Sequence, residues 1–223
     1  MKLSSLQKGL VGHWTMSQDS LKGSLLADKT PYENDGTIYG ATFTTDRKGQ
    51  ANKAMSFDGV DDYIDCGNGS SLQLTGDMSI SAWVKRTSFG AVHRILHKGG
   101  QSSVALDYTF GFGTSSTVFF YASKSTSSTV GVRTNQAYTT NEWLHIVGTY
   151  NGTTYRIYVN GVEMPTQGAT GTNTSTSSLF IGARNDGDQH MNGYIDDVRI
   201  YNRALSQEEI TTLYNSYNSK IQL

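Results

Sequence analysis

Residues 192 to 214, NGYIDDVRIYNRALSQEEITTLY, change periodicity in mid-stretch, and that change constrains how the chain folds at its end. From Tyr194 to Tyr201 the residues alternate as in a strand: Tyr194, Asp196, Val198 and Ile200 share one face, and Ile195, Asp197, Arg199 and Tyr201 the other. Each face then carries one carboxylate among apolar or aromatic neighbours. A buried carboxylate is costly unless a cation, hydrogen-bond donors or a metal compensates it. Arg199, two residues from Asp197 on the same face, is a ready structural partner, whereas Asp196 has no basic neighbour on its own face and becomes the metal candidate. Beyond the strand, Ser206 followed three residues later by Glu209 is a capping box, and Ile210, Leu213 and Tyr214 form one apolar stripe. A short helix therefore closes the chain.

Elsewhere the signals are those of strands: Met78 to Lys85, Arg94 to His97, Ser103 to Phe112, Val118 to Ala122, Trp143 to Tyr150, Tyr155 to Asn160 and Leu179 to Ala183. Asn151-Gly152 and Asn160-Gly161 are hairpin signals, so the middle of the chain reads as an antiparallel meander. Met78, Ile80, Ala82 and Val84 form an apolar face and Ser79, Ser81, Trp83 and Lys85 a more polar one, which predicts a sheet with one side on a core, and hence two stacked sheets. The Ser/Thr-rich stretches 124–134 and 167–178 supply little core and read as long loops or edge hairpins. Pro31 and Pro165 fall in loop-like surroundings, and nothing marks a second domain within residues 1–223.

Four motifs in register resemble the laminin G-like domains of the concanavalin A-like lectin/glucanase superfamily. They are GLVGHWTMSQDS (9 to 20), DKTPYENDGTIYGA (28 to 41), AMSFDGVDDYIDCG (54 to 67) and the closing segment from Gly193 to Ser206. The resemblance implies an all-β fold, a jelly-roll β-sandwich of two antiparallel sheets with a short C-terminal helix. It also implies a structural calcium where the N-terminal loops meet an aspartate of the closing strand. Carried over by position, the ligands would be Asp28, Asn34 and Asp196, with Asp19, Asp35 and the Gly59 carbonyl as further candidates. Asp- and Asn-rich turns with Gly suit calcium, which prefers six to eight oxygen ligands, but the same residues equally cap and bend backbone, as Asp61 and Asp62 would in a β-turn.

The bulk numbers close other routes. A net charge of −1, with no dense Lys/Arg cluster, argues against nucleic acid. Cys66 is the only cysteine, so no intrachain disulfide forms. MKLSSLQKGLVGHW lacks the apolar segment of a secretory signal and no run approaches a membrane span. The chain therefore reads as soluble, without an export address of its own: a phage virion component, a cytoplasmic protein or an excised module.

A retaining glucanase needs two carboxylates about 5–5.5 Å apart, usually delivered as E-x-D-x-E or E-x-D-x-x-E on one strand. Glu33, Glu142, Glu163, Glu208 and Glu209 do not lie in that pattern, and adjacent Asp pairs on strands diverge to opposite faces. The histidines, His13, His93, His97, His145 and His190, show no zinc spacing. GGQSS (99 to 103) and GFGTSS (111 to 116) are neither a serine elbow nor a P-loop. The chemistry left is sugar binding, by aromatic stacking and polar side chains. Trp14, Trp83 and Trp143 sit in strand motifs and read as core. Tyr108, Phe110 and Phe112 share one strand face, as do Phe119 and Tyr121, and these could line a concave surface. The loop 183 to 193 gathers Arg184, Asn185, Asp186, Asp188 and His190 as a recognition rim, with an ordinary solvated hairpin as the alternative. The expectation is a non-enzymatic carbohydrate-binding or adhesion module in a phage-virion or cell-surface setting. Its partners would be a glycan or cell-surface polysaccharide, or other virion proteins, and the alternatives are a purely structural assembly protein or a glycan hydrolase.

Overall fold

A computed structural model describes residues 5–99, 106–125, 128–168, 177–184 and 188–218, which form two antiparallel sheets and a C-terminal helix. The eight-stranded sheet runs in the order Val162–Glu163, Tyr155–Val159, Leu144–Tyr150, Met78–Arg86, Asn192–Tyr201, Ala54–Asp58 and Thr42–Thr44, with Leu10–Trp14 paired to the second half of Asn192–Tyr201. The ten-stranded sheet runs Thr166–Gly168, Ser128–Ala137, Thr117–Ser125, Leu106–Phe112, His93–Gly99, Leu179–Ile181, Tyr63–Asp65, Gly36–Tyr39, Leu25–Leu26 and Leu21–Lys22. The sandwich expected from the sequence is the fold that forms.

Met78, Ile80, Ala82 and Val84 do enter the space between the sheets, in one cluster with Tyr108, Phe110, Phe112, Phe120 and Ile181 of the other sheet. Each such side chain contributes roughly 1.5–3 kcal/mol by leaving water. Tyr108, Phe110 and Phe112 are therefore core rather than a ligand surface, and the Tyr108 hydroxyl is spent on the Leu72 carbonyl at 3.0 Å. The correction follows from periodicity alone: strand alternation says which residues share a face, not which face is inside.

The second face of Met78–Arg86 departs from the polar exterior that alternation predicts, since Ser79, Ser81 and Trp83 are all buried. What covers it is the helix Gln207–Asn218 together with the N-terminal segment, through a second cluster of Leu6, Leu10, Val147, Tyr201, Ile210 and Leu213. The capping box closes as read, with Ser206 N–H donating to Glu209 Oε2 at 3.0 Å and Glu209 N–H to Ser206 Oγ at 3.3 Å. Arg203 clips the two chain ends together, donating to both Glu209 oxygens and to the carbonyls of Ser5 and Lys8. Under the helix, Tyr214 stacks on Trp83 at 5.8 Å, and the His145 ring lies 5.1 Å from Trp83.

The turns behave as the sequence indicates. Asn160 and Gly161, with φ of 52° and 81°, form the two-residue link between Tyr155–Val159 and Val162–Glu163. At Asn151-Gly152 the link is longer, with the Asn151 side chain accepting from Thr153 N–H and Thr154 N–H. The stretch 124–134 takes the hairpin alternative rather than the loop: Thr117–Ser125 and Ser128–Ala137 pair antiparallel, although Thr166–Gly168 and not this hairpin forms the sheet edge. Residues 169–176 of the second Ser/Thr-rich stretch, and 103–105 of the expected strand at 103–112, lie outside the described residues. Trp143 is half-buried and precedes its strand, tilted 6.3 Å from Tyr194, rather than in the core.

His145 carries a pH consequence. Burial holds its imidazole well below the usual range, at about 3, with the Asp197 charge opposing and the Arg47 and Arg199 charges reinforcing that shift. The folded state therefore excludes a proton that the unfolded chain takes up below pH about 6.5. Stability should be full above that value and fall on acidification by about 1.4 kcal/mol per pH unit from this group. The stability difference between wild type and His145→Gln, read from denaturant midpoints at pH 7 and pH 5, should carry this slope, because the comparison cancels the opposite slope of the buried Asp196 carboxyl, which burial raises to about 8.

Candidate functional site

The closing strand does not keep its alternation. Asp196 faces Trp83 while Arg199 faces Ser81, so one extra residue is accommodated between them, and Asp197 takes a φ of 48°. This β-bulge re-aims its residues, and both carboxylates line one hollow of about 460 Å³ instead of pointing to opposite faces. The hollow is also lined by His13, Asp19, Asp46 and Arg47. Asp197 Oδ1 pairs with His13 Nε2 at 2.8 Å and with Arg199 Nε at 3.1 Å. Asp196 does have a basic partner, the side chain of Arg47, whose guanidinium lies 4.5 Å from the Trp83 ring centre. Reading neighbours along one strand misses it because the two residues are 149 apart in sequence. Burial pushes the Asp196 carboxyl up to about 8, against the pull of Arg47.

The calcium ligand set does not converge on one cradle. Asp28 Oδ1 accepts from the N–H groups of His13 and Thr30, and Oδ2 from Thr30 Oγ1, Asn34 N–H and Asn34 Nδ2. A carboxylate offers about four lone-pair sites, so Asp28 is saturated by protein donors. Its burial is explained without a metal. Asn34 is committed to Asp28 and the Val11 carbonyl, and Asp35 accepts from Asp28 N–H and Lys22 Nζ. Asp19 pairs with Lys53 at the rim of the hollow. Gly59 belongs to a separate turn, where Asp58 Oδ1 accepts from Val60 and Asp61 N–H and Asp62 Oδ2 from Asp58 N–H. These six residues as a set do not fit a calcium ion.

The outer face of the ten-stranded sheet is built differently. Cross-strand pairing places Thr37, Asp65, Phe180, His97, Thr109, Tyr121 and Gly131 in one row running across seven strands. Tyr63 stands beside this row, stacked on Tyr39 at 4.6 Å and 5.8 Å from Phe180. A second row reads Arg94, Gly111, Phe119 and Arg133. Gly111 decides its geometry, because a Cβ there would stand 2.2 Å from the His93 carbonyl oxygen and 3.0 Å from Phe119 Cζ. Without that Cβ, Arg94 reaches across to Phe119, its guanidinium 4.8 Å from the ring centre, and donates to Thr109 Oγ1 at 2.9 Å. Phe119 stacks on Tyr121 at 4.8 Å and 9°, and Tyr121 has room because Gly131 faces it across the strand. Arg133 completes the ladder by donating from Nε to the Tyr121 hydroxyl at 2.9 Å. These groups line a hollow of about 170 Å³ with Val92, Thr114, Ser115 and Thr117.

The loop 183–193 abuts this ladder. Arg184 and Asp188 close it, by a backbone bond and an ion pair both at 3.1 Å, and Gln189 Oε1 accepts from Arg94 Nε at 2.8 Å. His190 turns inward toward the Asp62 carbonyl, whereas Asn185 and Asp186 lie outside the described residues. Sequence reading passed over Arg94, Arg133 and Arg47. The available signal was glycine inside strands, which marks close approach of neighbouring groups.

Residues 58–211 match the family model Laminin_G_3 of the concanavalin A-like lectin/glucanases superfamily, and the chain belongs to that family. No curated protein matches it by sequence. Among solved structures it is similar to the binding domain of Paraclostridial Mosquitocidal Protein 1, at 17% identity and a TM-score of 0.75, over 95% of this chain and 53% of that one. Domain 4 of AbnA, a GH43 extracellular arabinanase from Geobacillus stearothermophilus, in complex with arabinotriose, matches at 21% identity and a TM-score of 0.73, over 92% and 98% of the two chains. The botulinum neurotoxin serotype G binding domain matches at 15% identity and a TM-score of 0.71, over 94% and 51%. The chain thus spans about half the length of the toxin domains. Its fold is that of lectin-like binding modules.

Removing one partner of a buried ion pair costs roughly 3–5 kcal/mol, because the other charge stays buried. Arg47→Met should destabilise the protein by about that amount above pH about 8, where Asp196 is ionised, and by less at neutral pH, where its raised carboxyl keeps a proton. The loss should be smaller in an Asp196→Asn background, which a double-mutant cycle on denaturant midpoints would read.

Proposed function

We propose that this chain is a non-catalytic glycan-binding module whose ligand lies on the outer face of the ten-stranded sheet, along the row from Phe180 to Tyr121. The loop 183–193 serves as its rim. The observation that carries the reading is the ladder itself: the outer face of the ten-stranded sheet sets Tyr121, two guanidinium groups and hydroxyls around a hollow of about 170 Å³, whereas the helix and the N-terminal segment cover part of the eight-stranded sheet. The arabinotriose complex of the arabinanase domain supports the same class of ligand. A virion or cell surface, with other virion proteins as neighbours, is the setting this reading proposes.

One observation keeps a hydrolase as the second reading. Asp196, raised to about 8, shares a hollow with Asp197, and a carboxyl that keeps its proton at neutral pH is what a glycosidase uses as its acid. Their commitment to Arg47, His13 and Arg199 favours a structural role.

Affinity electrophoresis against a polysaccharide panel tests the proposal. Binding without release of reducing sugar is expected. Tyr121→Ala with Phe180→Ala should weaken binding by at least about tenfold, the scale expected when a sugar can no longer stack on either ring. Arg184→Ala with Asp188→Ala should weaken it while changing stability by less than about 0.5 kcal/mol each. Turnover of any panel member would promote the hydrolase.

Calcium stays a proposal. Among the described residues, the acidic side chains whose ligand atoms all lie within 4.8 Å of one another are those of Asp58, Asp61 and Asp62, in the turn that also holds the candidate Gly59. Melting with added calcium and with EDTA tests it: a higher midpoint with calcium supports the ion, and identical curves remove it.

A further inference from the structure

We infer that the saccharide bound at the Arg94–Phe119–Tyr121–Arg133 ladder carries a carboxylate, an inference that rests on the glycan-binding reading and narrows it to acidic sugars. Three features of the site carry it.

The first is charge. Among the described residues, the hollow of about 170 Å³ is lined by two arginines and by no carboxylate. In the row that passes through Tyr121 the acidic residue is Asp65, four strands away, or about 19 Å at the usual strand spacing. Asp188, on the neighbouring loop, is held by Arg184.

The second is how the rings are used. A neutral sugar is gripped chiefly by laying its C–H face on an open aromatic face. Phe119 is in contact with the Arg94 guanidinium and stacked with Tyr121, and at 3% exposed it has no open face for a sugar. The aromatic pair therefore works as a support that fixes two guanidinium groups, one at each end.

The third is the fixing itself. Arg94 is oriented by Thr109 Oγ1 and Gln189 Oε1, and exposed Arg133 by the Tyr121 hydroxyl through Nε, which leaves its terminal Nη1 and Nη2 edge directed away from that bond. A guanidinium held in this way meets a carboxylate with two parallel hydrogen bonds and little further loss of freedom. The whole chain has a net charge of −1, so attraction for an acidic polymer must come from this local pair and not from the protein as a whole. Ser115 and Thr117 on the same rim offer hydroxyls to the ring oxygens of the sugar.

Titration calorimetry of the intact protein with polygalacturonate, its fully methyl-esterified form, alginate and linear arabinan would test this. The expected result is binding to one or both uronate polymers, loss on esterification, and weakening of at least about tenfold in Arg133→Gln, the size of one charge-assisted hydrogen bond. Arg156→Gln removes a cation from the opposite sheet and should bind like wild type, and unchanged melting of both variants would show that folding is intact. Equal binding of polygalacturonate and its ester, binding to arabinan alone, or full affinity in Arg133→Gln would overturn the acidic class while leaving a glycan-binding module standing. Binding to none of the four, repeated on a broad glycan array without any hit, would overturn both readings together.

Discussion

The strand Asn192–Tyr201 is hydrogen-bonded to three others, Met78–Arg86 along one edge and Ala54–Asp58 followed by Leu10–Trp14 along the other. It joins the beginning, middle and end of the chain in a single ladder, so its geometry is imposed on all three. The bulge at Asp196 and Asp197 is an irregularity in that ladder, and two buried carboxylates are its cost. An uncompensated buried charge would cost several kcal/mol. His13, Arg47 and Arg199 hold these carboxylates, and each comes from a different part of the sequence. The N-terminal strand and the 46–50 loop are thereby fastened to the centre of the sheet by charge as well as by backbone pairing.

How much of this was legible in the sequence depended on range. The capping box at Ser206 and Glu209, the turn at Asn160 and Gly161, and the apolar face of Met78–Arg86 depend on residues within a few positions of one another, and each formed as read. The partner of Asp196 was illegible because Arg47 approaches from a distant loop and the bulge breaks the period that assigned faces. Tyr108 failed for a related reason. Alternation is blind to which side of a sheet is covered, and here the rings that looked like a ligand surface fill the core while Phe119 and Tyr121 on the next strand face outward. Asp28 looked like a ligand because polar loops and metal loops share a composition, and only the donors around it separate the two.

The two sheets divide the labour. One is covered over part of its outer face by the helix and the N-terminal segment and carries the ion-pair network and the His145–Trp83–Tyr214 stack, which tie stability to pH. The other uses its strand glycines to let arginines lie over rings, turning what would be a flat polar sheet face into a shallow, positively edged depression. On the proposed reading, recognition could be altered on the second without touching the first.

The seal over the eight-stranded sheet has a geometric corollary. It is made by the two described ends of the chain, with Leu6 packed in the same cluster as Ile210 and Leu213, and Arg203 tying Ser5 to the helix start. Both described ends therefore lie on the side opposite the aromatic–arginine ladder. Anything joined to either end, a neighbouring module or a supporting particle, would hold the sandwich by its back and present the ladder outward, so that tethering and ligand access do not compete for the same surface.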